Sequence, residues 1–190
     1  MARVLVPLAQ GCEELEAVTV VDLLRRAGIE VVTAGLEKGP VKCSRGVVLV
    51  PDATLDEVLD QSFDMVVLPG GLPGADHLQN DPRIRELLRR MHREGGYTAA
   101  ICAAPKVLAD AGLLESRQAT SYPGVLEAMD LPATRLLEKP VVVDEKVVTS
   151  RGPGTAMEFA LELIGLLLGK EARRQVEEPL MRPSSDMKTP

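Results

Sequence analysis

At 190 residues and 45% hydrophobic content the chain is long enough for one domain with a real core; with only 2% aromatics and no Trp, that core is aliphatic, as in a parallel sheet covered on both faces. The net charge of −6 disfavours nucleic acid and anionic membrane as partners, and no run approaches the ~20 apolar residues of a membrane span. Three cysteines without Cys-x-x-Cys spacing (Cys12, Cys43 and Cys102) argue against a disulfide scaffold or a structural zinc site and fit a reducing cytoplasm.

In chain order, residues 3–8 read as a first strand, too short for the apolar stretch of a signal peptide. Gln10-Gly11-Cys12 is a turn. A helix follows over residues 13–27, with Ala17, Val20, Val21 and Leu24 on one face and Gly28 as its stop. Residues 30–35 form a second strand, and residues 41–50 a hairpin turning at Cys43-Ser44-Arg45-Gly46. Thr54 caps a short helix to residue 60, with Glu57 completing a capping box. Residues 64–68 are a strongly apolar strand that ends in Pro69-Gly70-Gly71-Leu72-Pro73-Gly74. Asp81-Pro82 opens an amphipathic helix to residue 93.

Residues 97–101 make another strand, and Cys102 stands between it and a helix over residues 103–111. Residues 141–143 and 146–149 form a hairpin, residues 155–168 a long helix closed by Gly169, and residues 170–181 a helical continuation. The alternation predicts one doubly wound α/β domain over residues 1–181, followed by a frayed tail at 182–190. Ligands in such sheets bind at the carboxyl ends of the strands. Three loops at that edge carry unusual chemistry: residues 10–16, 69–74 and 102–105.

Two readings compete for Cys102. A sharp strand-to-helix turn would push its side chain out of the sheet and aim free backbone N–H groups at it, favouring a thiolate. The alternative is a buried packing cysteine. Convergence of the three loops favours the first. Glu13, Glu14 and Glu16 crowd a helix start, where acids complement the dipole and need no other purpose; spacing alone favours that reading even for Glu16. Gly70 and Gly71 are turn residues or donors to a developing oxyanion. His77 and His92 have no companions that would make a metal site, and no His follows Cys102 to serve as the base of a thiol protease. Cys43 reads as a packing residue, and Cys12, on the same edge as Cys102, as a candidate resolving thiol.

Five segments together resemble the ThiJ/PfpI superfamily, in the branch of the parkinsonism-associated protein DJ-one and its bacterial relatives. They are Gly11-Cys12-Glu13-Glu14-Leu15-Glu16, Val41-Lys42-Cys43-Ser44-Arg45-Gly46, Val67-Leu68-Pro69-Gly70-Gly71, Ala99-Ala100-Ile101-Cys102-Ala103-Ala104-Pro105 and Thr149-Ser150-Arg151-Gly152-Pro153-Gly154-Thr155. The resemblance implies a homodimeric flavodoxin-like sandwich without a cofactor. Cys102 would be its nucleophile, Glu16 a protonated carboxyl beside the sulfur, and Gly71 and Ala103 the oxyanion-binding amides, with Gly70 in the same loop. Where some members carry His, in the segment matching Thr120-Ser121-Tyr122-Pro123, this chain has Tyr122, a phenol that can still donate a hydrogen bond. Val50 replaces a peripheral cysteine of some relatives.

The activity so implied is cysteine-dependent and protective. Small α-oxoaldehydes or glycated groups would be taken up as hemithioacetals and released without glutathione. Redox sensing through oxidation of Cys102 to a sulfinate, and holdase chaperoning, are the alternatives.

Overall fold

The computed structural model describes residues 1–182 of the chain. The strands are β1 (Arg3–Leu8), β2 (Glu30–Gly35), β3 (Val41–Lys42), β4 (Val48–Leu49), β5 (Ala53–Thr54), β6 (Met65–Leu68), β7 (Tyr97–Ile101), β8 (Gln118–Ala119), β9 (Arg135–Leu136), β10 (Val141–Asp144) and β11 (Val147–Ser150). The helices are α1 (Glu14–Arg26), α2 (Leu55–Val58), α3 (Gly74–Asn80), α4 (Pro82–Arg93), α5 (Pro105–Asp110), α6 (Ala156–Leu168) and α7 (Lys170–Glu177). Seven strands form the central sheet in the order β10-β11-β7-β6-β1-β2-β5. Every pairing in it is parallel except the antiparallel β10/β11 edge. The sheet is doubly wound, as the alternation of elements predicted, and flavodoxin-like, as the family resemblance implied.

Side chains alternate across the sheet as the period of two demands. Val4, Val6, Met65, Val67, Ala99 and Ile101 face one aliphatic layer with residues of α1 and α6. Leu5, Val66, Leu68 and Ala100 face the other with residues of α4 and α5. Helix α4 shows why these segments are helical: Ile84, Leu87, Leu88 and Met91 are its buried residues, one stripe at i, i+3, i+4, i+7. Asp81 caps it by accepting from the Arg83 N–H, and Pro82 occupies the first turn.

The side on which strands are added switches at β1. From β1 the chain moves to β2 on one side, while β6 pairs β1 on the other. The loops leaving β1 and β6 therefore diverge and open a crevice at their carboxyl ends.

Several boundaries differ from expectation. Residues 74–80 form a helix, α3, in the stretch with no predicted element between the glycine-rich loop and Asp81. The helix after Cys102 starts at Pro105, not at residue 103, because Pro takes the first turn and leaves Ala103 and Ala104 in the bend. Gly169, at φ 90°, closes α6 as expected, but the continuation is helical only through Glu177 and ends in a tighter turn over Glu178–Leu180. Strands β5, β8 and β9, two residues each, carry no periodicity to read. Of the expected tail, Arg182 pairs with Glu158 and Glu177, and residues 183–190 lie outside the described residues.

Candidate active site

Helix α1 starts because Glu13, in extended conformation, turns its carboxylate back onto the Glu16 N–H at 2.8 Å. That cap fixes the rotation of the first turn: Leu15 and Val18 face outward, Glu14 and Glu16 inward. Glu16 is 0% exposed. Its Oε2 accepts the Gly70 N–H at 2.8 Å, and its Oε1 is buried with no hydrogen-bond partner. Burial pushes this carboxyl up to about 7, against the pull of the Gly70 N–H and the Cys102 thiol.

Gly70 stands between the two reactive side chains. A Cβ built on it would lie 2.6 Å from the Cys102 Cβ and 2.8 Å from Glu16 Oε2. Any side chain at this position would wedge the carboxyl away from the cysteine. At Gly71, φ is +84° and a Cβ would sit 2.4 Å from the backbone nitrogen of Glu13. The same nitrogen donates to the Gly70 carbonyl at 2.9 Å. The paired glycines thus let the loops after β1 and β6 nest together.

Cys102 adopts φ 64°, left-handed for a residue with a side chain, at a cost of about 1–3 kcal/mol. Hydrogen bonds hold it on both sides. Its N–H donates to the Ser150 carbonyl at 3.0 Å, and its carbonyl accepts the Tyr122 N–H at 2.9 Å. The end of β11 and the segment after β8 therefore clamp the bend. Cys102 is 9% exposed, so a little of it remains reachable. Burial and the negative charge of Glu16 push its thiol up to about 12, while the N–H groups of Gly71 and Ala103 pull the other way.

The direction runs against the thiolate that free backbone N–H groups alone would favour. The amides are there, but α5 has six residues and begins three positions later. Desolvation and a neighbouring carboxylate outweigh them.

Cys102, Glu16, Gly70, Gly71 and Ala103 come together at one place. Tyr122 reaches it through its backbone N–H; the residue is 51% exposed, with Cδ2 3.3 Å from where a Gly152 Cβ would stand. Cys12 is turned elsewhere, its Sγ 3.6 Å from that of Cys43. His77 is exposed on α3. Sequence reading missed Ser150, whose carbonyl clamps Cys102; nothing in a strand-end serine signals that role. It also missed Glu13 as the helix cap, although its spacing three residues before Glu16 carried the signal. Among the described residues, no group of three or more His, Cys, Asp or Glu is placed to hold a metal ion.

Compared with known proteins, residues 2–166 match the DJ-1/PfpI family. The chain belongs to the DJ-1/PfpI family. Protein dj-1beta of Drosophila melanogaster is 46% identical over 178 residues, spanning 93% of this chain and 95% of that protein. A crystal structure of Drosophila DJ-1beta superposes with a TM-score of 0.91 at 44% identity, covering 96% of this chain and 99% of that one. A Caenorhabditis elegans relative, named glutathione-independent glyoxalase DJR-1.2, is 39% identical over 179 residues, 94% of this chain and 95% of that protein. No helix among the described residues is long and apolar enough to cross a membrane.

Proposed function

We propose that this DJ-1/PfpI family member converts small α-oxoaldehydes, such as methylglyoxal, into 2-hydroxy acids without glutathione. One observation carries the reading: a fully buried carboxyl, poised near neutrality, meets a thiol held in a strained turn. The activity named for the Caenorhabditis elegans relative supports it.

Glu16 takes the proton of Cys102 as the sulfur adds to the aldehyde carbon. A pKa near the working pH suits that exchange. The N–H groups of Gly71 and Ala103 receive the oxygen as it gains charge, and protonation gives the hemithioacetal. Glu16 then removes the hydrogen from that carbon and returns a proton to the adjacent carbonyl carbon, leaving a thioester. Water hydrolyses the thioester, releasing the 2-hydroxy acid and restoring the thiol. The net change is the addition of one water, and no cofactor enters.

Methylglyoxal consumption by wild type, Cys102→Ala and Glu16→Gln tests the scheme. Cys102→Ala should lose all turnover above background. If it consumes the aldehyde at the wild-type rate, the mechanism is wrong. Early glycation adducts of amines and thiols, added to the same panel, decide whether the site also acts as a deglycase.

A second reading, oxidation of Cys102 to a sulfinate, is favoured by the two backbone N–H groups already facing the sulfur, which would hold its oxygens. Failure of intact mass to show two added oxygens at Cys102 under peroxide would remove it. The partner we infer is a second copy of the chain. Val18, Leu49 and Val50 line one groove between α1 and β4, and Leu15, Val18, Val48 and Val50 are 47–82% exposed around it. A monomeric mass in light scattering at micromolar concentration would exclude this dimer. Reduced thiols suit a cytoplasmic setting.

A further inference from the structure

The second place where sulfur chemistry is concentrated lies outside the Cys102 site. Cys12, in the loop leaving β1, and Cys43, at the start of the β3–β4 turn, bring their Sγ atoms to 3.6 Å. Both are free thiols, 0% and 4% exposed respectively. Thiols 31 positions apart in sequence thus touch with no third sulfur between them.

The backbone around the pair is tied together. The Ser44 N–H donates to the Cys12 carbonyl at 2.8 Å, and the Gly11 N–H to the Lys42 carbonyl at 2.8 Å. Glu14 secures the hairpin from the other side through the Arg45 N–H at 2.9 Å. The β1 loop and the hairpin are therefore already docked against each other, with the two sulfurs about 1.5 Å farther apart than in a disulfide bond.

We infer that Cys12 and Cys43 form an intramolecular disulfide under peroxide, a second redox site separate from Cys102. Cys43, the less enclosed of the two, is attacked first. Its sulfur attacks the O–O bond of hydrogen peroxide and gives a sulfenic acid, while the displaced hydroxide leaves as water with the Cys43 thiol proton. The sulfur of Cys12 then attacks the Cys43 sulfur and expels the hydroxyl group, which leaves as water with the Cys12 proton. Overall, two thiols lose two electrons and two protons, and one hydrogen peroxide becomes two waters. A small oxidant is required because the pair is nearly enclosed.

The link bears on the reactive site through one set of backbone contacts. A Cβ at Gly74 would fall 2.5 Å from the Cys12 nitrogen, and one at Gly71 2.8 Å from the Cys12 carbonyl carbon. The loop carrying Cys12 thus lies directly on the loop that offers the Gly70 and Gly71 N–H groups. Joining Cys12 to the hairpin fixes that loop and, with it, the position of both donors.

Peptide mapping after hydrogen peroxide and alkylation under denaturing conditions tests the assignment, with wild type, Cys102→Ser, Cys12→Ala and Cys43→Ser compared. The expected result in Cys102→Ser is the loss of two hydrogens, a Cys12–Cys43 linked peptide, and a melting temperature that rises on oxidation and falls back on reduction. Cys12→Ala and Cys43→Ser, each checked for native circular dichroism, should show no linked peptide and no reversible rise. Two results would overturn the inference: both thiols of Cys102→Ser still fully alkylated at peroxide levels that oxidise Cys102 in wild type, or a link in wild type joining Cys12 to Cys102. The Cys102→Ser background reads the disulfide independently of any aldehyde chemistry, so failure here and failure of the proposed turnover are separate outcomes.

Discussion

Glu14 and Glu16 stand two residues apart on the first turn of α1, at 9% and 0% exposure, yet their proton affinities move in opposite directions. Burial raises both. At Glu14 it is outweighed by hydrogen bonds from its own backbone, the Arg45 and Val47 N–H groups and the Ser44 hydroxyl, so the net shift is downward. Glu16 receives one backbone donor, Gly70, and leaves an oxygen unpartnered. Two helical steps turn the side chains about 200° apart, one toward the β3–β4 hairpin and the other toward the crevice. Donors and depth act together: Glu14 meets several donors and lies nearer the surface, whereas Glu16 meets one and is sealed from solvent.

The largest test of that contrast is Glu16→Gln, which should cut aldehyde turnover by roughly 10²–10⁴-fold. In wild type, kcat/KM should rise with pH through about 7 as the carboxyl ionises, and the variant should lose that limb. The same substitution should alter stability with a definite sign. The native pKa is about 7 against an ordinary 4.5, so between those values the unfolded chain releases a proton that the folded one keeps. Stability from this group is whole below pH 4.5 and is lost as pH rises through 7. Gln has no charge to bury, so the stability difference between variant and wild type should grow in the variant's favour by about 3 kcal/mol from pH 4.5 to 8. Urea titrations at both pH values check it; a difference independent of pH would show that Glu16 is not held protonated.

Glu14→Gln should do the reverse, with a smaller effect. The amide would turn an N–H pair toward the backbone donors of Arg45 and Val47, costing about 1–3 kcal/mol at neutral pH. A lowered native pKa means that the wild-type contribution is present above about pH 4.5 and fades as pH falls through the native value. The deficit of the variant should therefore shrink in acid. Thermal melts at pH 7 and pH 3.5 measure it, and a deficit unchanged in acid would contradict the anchor role.

Much of this was legible in the sequence, and the gaps have physical causes. The apolar runs of β1, β6 and β7 and the stripe of α4 repeat often enough to fix both element type and sheet class. Helix α3 offers only Ala75 and Leu78 as apolar positions within its seven residues, too few to show a period. Cys102 was visible as the hinge between a strand and a helix because local sequence dictates that bend. Its proton affinity was not visible. The flanking alanines advertise free amides, whereas the desolvation that outweighs them comes from packing and from a glutamate on another element. Glu16 was legible only as a helix-start acid, since the glycine whose N–H holds its carboxyl beside Cys102 lies 54 positions away. Resemblance to a family supplied that connection where spacing could not.

Tyr122 is the mildest test and sharpens the contrast at its other end. Its firm contact with the site is a backbone N–H on the Cys102 carbonyl, which any residue but proline keeps. The phenol is half exposed, so its hydroxyl has water as a ready alternative partner. Removing it forfeits at most one neutral hydrogen bond to substrate, about 0.5–1.5 kcal/mol, and Tyr122→Phe should lower kcat/KM by roughly two- to tenfold. Tyr122→Pro keeps neither the hydroxyl nor the N–H; it should release the clamp on the left-handed turn and lose turnover far beyond the Phe variant. A loss in Tyr122→Phe as deep as in Glu16→Gln would instead make the phenol a proton-transfer group, and the carboxyl would no longer be the sole acid–base partner of Cys102.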